Sequence, residues 1–174
     1  MINQAVEELK RIGSCAPAMT WCQRRGFATL ADAWVECQRA NWLLWLAGLR
    51  CGKRQSPSHR YYVRCLCQCA RHAVPDICVE DRPAVAEAVE VLGRWGLASN
   101  DGDLAPVSAM MGGAGICYPS YVYGIGSVIL RKHAAAGNGD AVARAIVATS
   151  SMSMPALAEV VWAWYPEIPR DMAI

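Results

Sequence analysis

The chain has 174 residues and a formal charge of +2, long enough to bury a proper core as one domain and too nearly neutral to require nucleic acid as partner. Charge is uneven: residues 1–82 carry 12 Lys/Arg against 7 Asp/Glu, and residues 83–174 carry 5 against 8. Nine cysteines are an odd number for a disulfide framework. No secretory pattern opens the chain, so free thiols, acting as small apolar side chains, and a cytoplasmic location are expected.

In chain order, residues 2–12 have an amphipathic helical pattern stopped by Gly13. Pro17 suits the first turn of a second helix that ends at Gly26. Thr29 stands three residues before Asp32, a variant of the capping box, and opens a third helix with Leu30, Trp34 and Cys37 on one stripe. Asn41 is placed to cap a fourth helix, whose Trp42, Trp45, Leu46 and Leu49 recur at i, i+3, i+4 and i+7. With Leu43 and Leu44 added, little of that helix stays polar, so it should lie among other helices.

A basic loop, 52–58, leads to a fifth helix over 57–73, with Tyr62, Cys65, Leu66, Cys69 and Ala73 on its apolar side. Arg64, Gln68 and Arg71 share its polar side, and Pro75 ends it. Asp81 is expected to cap a sixth helix with Pro83 in its first turn; Val85, Ala88, Val89 and Leu92 form its stripe, and Glu90 pairs with Arg94. Residues 98–103 are the clearest loop and the best place for a subdomain boundary. Further helices are expected near 118–136, 139–150 and 155–165. No alternating pattern lasts beyond Tyr121-Val122-Tyr123. The fold expected is therefore all-α: one compact multi-helix domain spanning residues 1–174, with seven to nine short helices.

The acidic residue and Trp at 32–34, the nearby Cys37, and a polar residue leading into Trp42-Leu43-Leu44-Trp45-Leu46-Ala47-Gly48 resemble the Imm-5 family of immunity proteins. The resemblance covers about 29–96 and includes the Cys- and Arg-containing helix from Arg64 to Arg71 and the acidic, Pro-containing start at 80–83. It implies a helical protein that neutralises a bacterial effector by binding it, without chemistry of its own. The family occurs in polymorphic-toxin loci and in phages and prophages. A phage anti-defence protein of anti-CRISPR type, blocking a ribonucleoprotein immune complex, is therefore the second reading. Beyond residue 100, Gly and Ser stand where the family has Ala.

Other chemistry is weighed against plain packing. Residues 104–130 lack any charge and are long enough to span a bilayer, but Pro106, Pro119 and five glycines break them, so no membrane partner is expected. Cys65, Cys69 and His72 at i, i+4 and i+7 could supply zinc ligands, with Cys22, Cys37 or Cys51 completing a tetrahedron. No C-x-x-C pair accompanies them, and Cys65 and Cys69 fall on the apolar stripe, so core cysteines and no cofactor are expected. A zinc- or Cys-dependent enzyme is the reading from another class, but no general base stands beside a nucleophile. Gly112-Gly113-Ala114-Gly115 lacks the Lys-Ser/Thr of a phosphate loop.

Arg50, Lys53, Arg54, His59, Arg60 and Arg64, with Tyr61 and Tyr62, form a basic aromatic cluster that suits an acidic protein surface or, less favoured, nucleic acid. Tyr118, Tyr121 and Tyr123 among glycines form a second candidate surface, because Tyr offers much contact area for little entropy. Trp34, Trp42, Trp45 and Trp95 are expected in the core. Trp162 and Trp164 lie two apart and cannot share one face, so one of them, with Tyr165, is expected outside, where aromatics mark binding hot spots.

Overall fold

The computed structural model describes residues 4–52, 56–76, 82–95, 97 and 139–169. These residues form eight α-helices and one short 3-10 helix, with no strand among them. The fold is all-α, as the helical hydropathy periods require.

Local signals set the first three helices where expected. In α1 (Gln4–Arg11) Ala5, Val6 and Leu9 are buried, and Gly13 reverses the chain at φ 73°. α2 (Ala16–Arg25) carries proline in its first turn and ends at Gly26, φ 74°, whose N–H donates to the Cys22 and Gln23 carbonyls. That left-handed cap costs glycine little and would strain any residue with a Cβ. In α3 (Leu30–Glu36) the capping box is complete: the Asp32 N–H donates to Thr29 Oγ1 at 3.2 Å and the Thr29 N–H donates to Asp32 Oδ2 at 2.9 Å. Leu30, Trp34 and Cys37 are all buried, as their spacing requires.

The centre differs from expectation. α4 (Ala40–Arg50) starts one residue before Asn41, with Arg39 at its N-cap making no side-chain cap bond. Asn41 is instead a fully buried first-turn residue whose Nδ2 donates to Asp140 Oδ1 at 2.7 Å. The face turned most fully inward is Ala40, Leu43, Leu44 and Ala47, again i, i+3, i+4, i+7 but rotated from the tryptophans. Trp42 and Trp45 are only partly buried, packed against the edge of the core, and Leu49 is 37% exposed. The physical reason is packing distance. α4 makes its most extensive contact with α7 (Gly139–Thr149), and a face of two alanines and two leucines packs more closely than one of indoles would.

α5 (Pro57–Arg71) begins at a Ser56 cap, whose Oγ accepts from the His59 N–H at 3.1 Å. Tyr62, Cys65, Leu66, Cys69 and Ala73 are buried as expected, and so are Val63, Cys67 and Ala70. The buried arc widens because α5 is packed by α4, α6 (Arg82–Trp95), α7 and α8 (Met154–Trp164). A 3-10 turn at Val74–Asp76 follows. On α6, Val89 is buried, and Glu90, expected to pair with Arg94 on its own helix, meets Arg71 of α5, Nε to Oε1 at 3.0 Å. The Asp81 cap, the side chains of Val85, Ala88, Leu92 and Trp95, the loop 98–103, the apolar stretch 104–130 and the helix expected over 118–136 lie outside the described residues. Ser153 caps α8, which ends before Pro166 with Leu157, Ala158 and Val161 buried.

α8 is stitched to its neighbours by aromatic hydrogen bonds. Trp34 Nε1 donates to the Tyr165 carbonyl at 3.1 Å, and Trp162 Nε1 donates to the Trp34 carbonyl at the same distance. Tyr61 of α5 donates its hydroxyl to the Trp164 carbonyl at 2.6 Å. The last carbonyls of a helix have no partner within it; here aromatic side chains from α3 and α5 supply them. Neither Trp162 nor Trp164 is left outside, contrary to the i, i+2 expectation: both, with Tyr165, pack half-buried on the core. Among the described residues, no helix is long and apolar enough to cross a membrane.

Candidate interaction groove

Two arginines of the basic stretch, Arg50 and Arg64, are held by contacts within the fold. Arg50 pairs with Glu8 of α1 and donates from Nη1 to the Pro169 carbonyl at 3.0 Å, and its side chain is only 9% exposed. His59 is 2% exposed, within the core. Arg64 holds its guanidinium 5.2 Å from the Trp164 ring centroid, and Tyr61 packs its ring on Trp164 and Tyr165. Arg60 is half-buried. Lys53 and Arg54, and the second candidate surface of Tyr118, Tyr121 and Tyr123, lie outside the described residues. Of the residues expected to bind a partner, then, Arg50 is committed to the interior and Arg64 to a helix-end clamp.

The cysteine set does not converge either. Cys65 and Cys69 are fully buried while His72, at the end of α5, is exposed. Among the described residues no group of three or more His, Cys, Asp or Glu is arranged to hold a metal ion. A hydrogen bond with the Cys69 thiol, together with burial, holds the Cys65 thiol well above the ordinary range. Burial pushes Cys37 and Cys51 up to about 11 and Cys67 up to about 12. Such thiols stay protonated at neutral pH and pack as apolar groups, since the thiolate is the nucleophile and the ligand.

A different surface gathers recognition chemistry. Trp21 and Arg25 of α2, Val35 and Glu36 of α3, Gln38 and Arg39 of the connection, Trp42 of α4 and Trp162 of α8 line an open groove of about 550 Å³. The Trp21 and Trp42 rings meet at 5.8 Å and 55°, a tilted pair, and Phe27 lies 4.9 Å behind Trp21. The Arg39 guanidinium sits 4.8 Å over Trp42. Arg25 pairs with Glu36, both side chains about half exposed, and Val35 is 59% exposed. Trp21 and Trp42 also line a second, smaller apolar pocket of about 40 Å³, shared with Cys22, Trp34 and Leu43.

The sequence alone did not group these residues, because they come from four elements. Two signals were nevertheless present. Val35 is a large apolar residue off the Leu30–Trp34–Cys37 stripe, and Trp21 and Arg25 stand at i, i+4 on α2. Trp162, half-buried on the core, reaches the edge of the groove while its indole N–H donates to the Trp34 carbonyl. Matched against protein-family models, curated proteins and solved structures, the chain finds no counterpart in any of the three.

Proposed function

We propose that this chain is a non-enzymatic inhibitor that neutralises a bacterial effector by direct binding, in the manner of an immunity protein, and that the tryptophan groove is its contact surface. The observation that carries this reading is the composition of the groove. Trp and Arg are the residue types that dominate interface energetics, and they do so from desolvated pockets rather than flat surfaces. Here three indoles and two arginines converge on one open concavity. The resemblance to immunity proteins supports the same reading, because Val35, Glu36, Gln38, Arg39 and Trp42 all fall within its span, 29–96.

Co-expression with the effector encoded beside the chain's gene tests the proposal. Growth should be restored, the two proteins should co-purify at fixed stoichiometry, and Val35→Glu should abolish both. Val35 is exposed, so that change leaves the fold intact. Neutralisation that persists in the Val35→Glu variant removes the groove from the mechanism. Neutralisation without a complex, with the effector chemically modified, makes the chain an enzyme instead. The anti-defence alternative predicts a separate outcome: restored plaquing of a phage targeted by a CRISPR system, with no protection against any neighbouring toxin.

A further inference from the structure

We infer that the groove receives an acidic segment of a protein partner, anchored by one large apolar side chain; this rests on the docking reading above and adds the chemistry of what docks. The apolar half of the argument is the tilted Trp21–Trp42 pair, Trp162 and the exposed Val35, which together offer aromatic and aliphatic surface on several sides of one cavity. A single Leu, Ile, Phe or Trp entering there would bury the part of its surface that meets the rings, as an anchor residue does.

The charged half comes from the rim. A guanidinium on an aromatic face keeps its N–H edge available to a carboxylate, and Arg39 is so placed over Trp42. Arg25 is held by Glu36 in a half-exposed surface pair, which is weak, so an incoming carboxylate can share or replace that partner. Arg24, beside Arg25 in the last turn of α2, adds positive charge at the same helix end. Among the described residues lining the groove, Glu36 is the one acid against two arginines, while the Asp140 carboxylate of α7 also feels the Arg39 charge.

That modest excess also decides between partners. A nucleic acid strand needs a row of cations along its phosphates, and this groove presents Arg39 and an Arg25 already matched by Glu36. A second copy docked groove to groove would set arginines against arginines. A short acidic segment with one apolar anchor satisfies both the indoles and the arginines at the charge the groove carries.

Selection of random 16-residue displayed peptides on the full-length chain tests this, followed by fluorescence anisotropy of a labelled enriched peptide. Enriched sequences should place Asp or Glu on either side of one large apolar residue. Val35→Glu and Arg39→Glu, both at exposed positions, should each weaken that peptide by about tenfold or more. Exchanging the peptide's acids for Lys should restore binding to Arg39→Glu while abolishing it for the unaltered chain. Thermal melts of both variants should overlay the parent. Three results overturn the inference: no acidic bias in groove-dependent peptides, affinity unmoved by Arg39→Glu, or tighter Val35-dependent binding of a labelled 12-nucleotide oligothymidylate. Sedimentation showing a dimer that Val35→Glu dissociates would also overturn it. Groove-dependent peptides without acids overturn this inference and leave the docking reading standing; an effector still neutralised by the Val35→Glu chain sinks the docking reading as well.

Discussion

Two regions of this molecule combine arginine with aromatic rings, and they do opposite things. Around α5, Arg50, Arg64 and Tyr61 are tied to Glu8, Pro169, Trp164 and Tyr165, so the side chains with the most suggestive sequence close the structure. Around α2, α3 and α4, Trp21, Trp42, Arg25 and Arg39 border an open concavity. The difference teaches that a basic, aromatic cluster in sequence says nothing about availability. What matters is whether a carbonyl, a carboxylate or a ring elsewhere in the fold has already claimed each group.

The strongest way to break this comparison is at the residue that supports both regions. Trp34 is 2% exposed and gives its indole N–H to the Tyr165 carbonyl, while its own carbonyl receives Trp162. Trp34→Ala should cost on the order of 3–5 kcal/mol, read by chemical denaturation, and should disturb the groove through Trp162. Trp45→Ala, at a half-buried ring, should cost clearly less; equal losses would mean that the two rings are equally buried.

Arg50→Ala comes next. It leaves the 26% exposed Glu8 side chain without this partner and frees the Pro169 carbonyl, so a loss of about 1–3 kcal/mol is expected. An Arg50→Ala chain as stable as the parent would return Arg50 to the list of surface binding residues. Salt should moderate the effect only slightly, because the guanidinium is mostly buried.

A pH experiment sharpens the role of Asp140 at the start of α7. Partial burial works against its charge, but hydrogen bonds from Arg144, Nε to Oδ2 at 2.9 Å, and from Asn41 outweigh it, and its pKa falls below the ordinary carboxylate range. A carboxylate whose pKa is lower in the folded chain contributes stability that is present above its unfolded pKa, about 3.9. That contribution is lost as the pH falls through the lower folded value. Stability should therefore drop on acidification below about pH 4, and Asp140→Asn should flatten that part of the curve. An unchanged pH slope in Asp140→Asn would remove this carboxylate from the account.

The smallest expected effect is on the groove itself. Val35→Ser should change stability by less than about 0.5 kcal/mol, as surface substitutions do, while weakening partner capture. A large stability loss would show that Val35 belongs to the core and that the groove is shallower than its lining suggests.

Helices whose ends carry their own chemistry could be read from the sequence alone. Thr29 with Asp32 and Gly26 at a left-handed φ are decided within four residues, and both lie where the local pattern puts them. The sequence also places Leu30, Trp34, Cys37, Cys65 and Cys69 in the interior, because helical spacing puts apolar atoms on one stripe. Only the tertiary structure decided which way α4 faces. Its sequence is apolar nearly all round, so periodicity had little polar edge to orient by, and packing among the other helices, α7 above all, turned the Ala40, Leu43, Leu44 and Ala47 face inward. Only the tertiary structure, too, decided the fate of the arginines and the existence of the groove. Arg50 finds Glu8 forty-two residues away, and Trp162 meets residues 21–42 across the chain. Such meetings are set by how helices stack, and no short stretch of sequence encodes them.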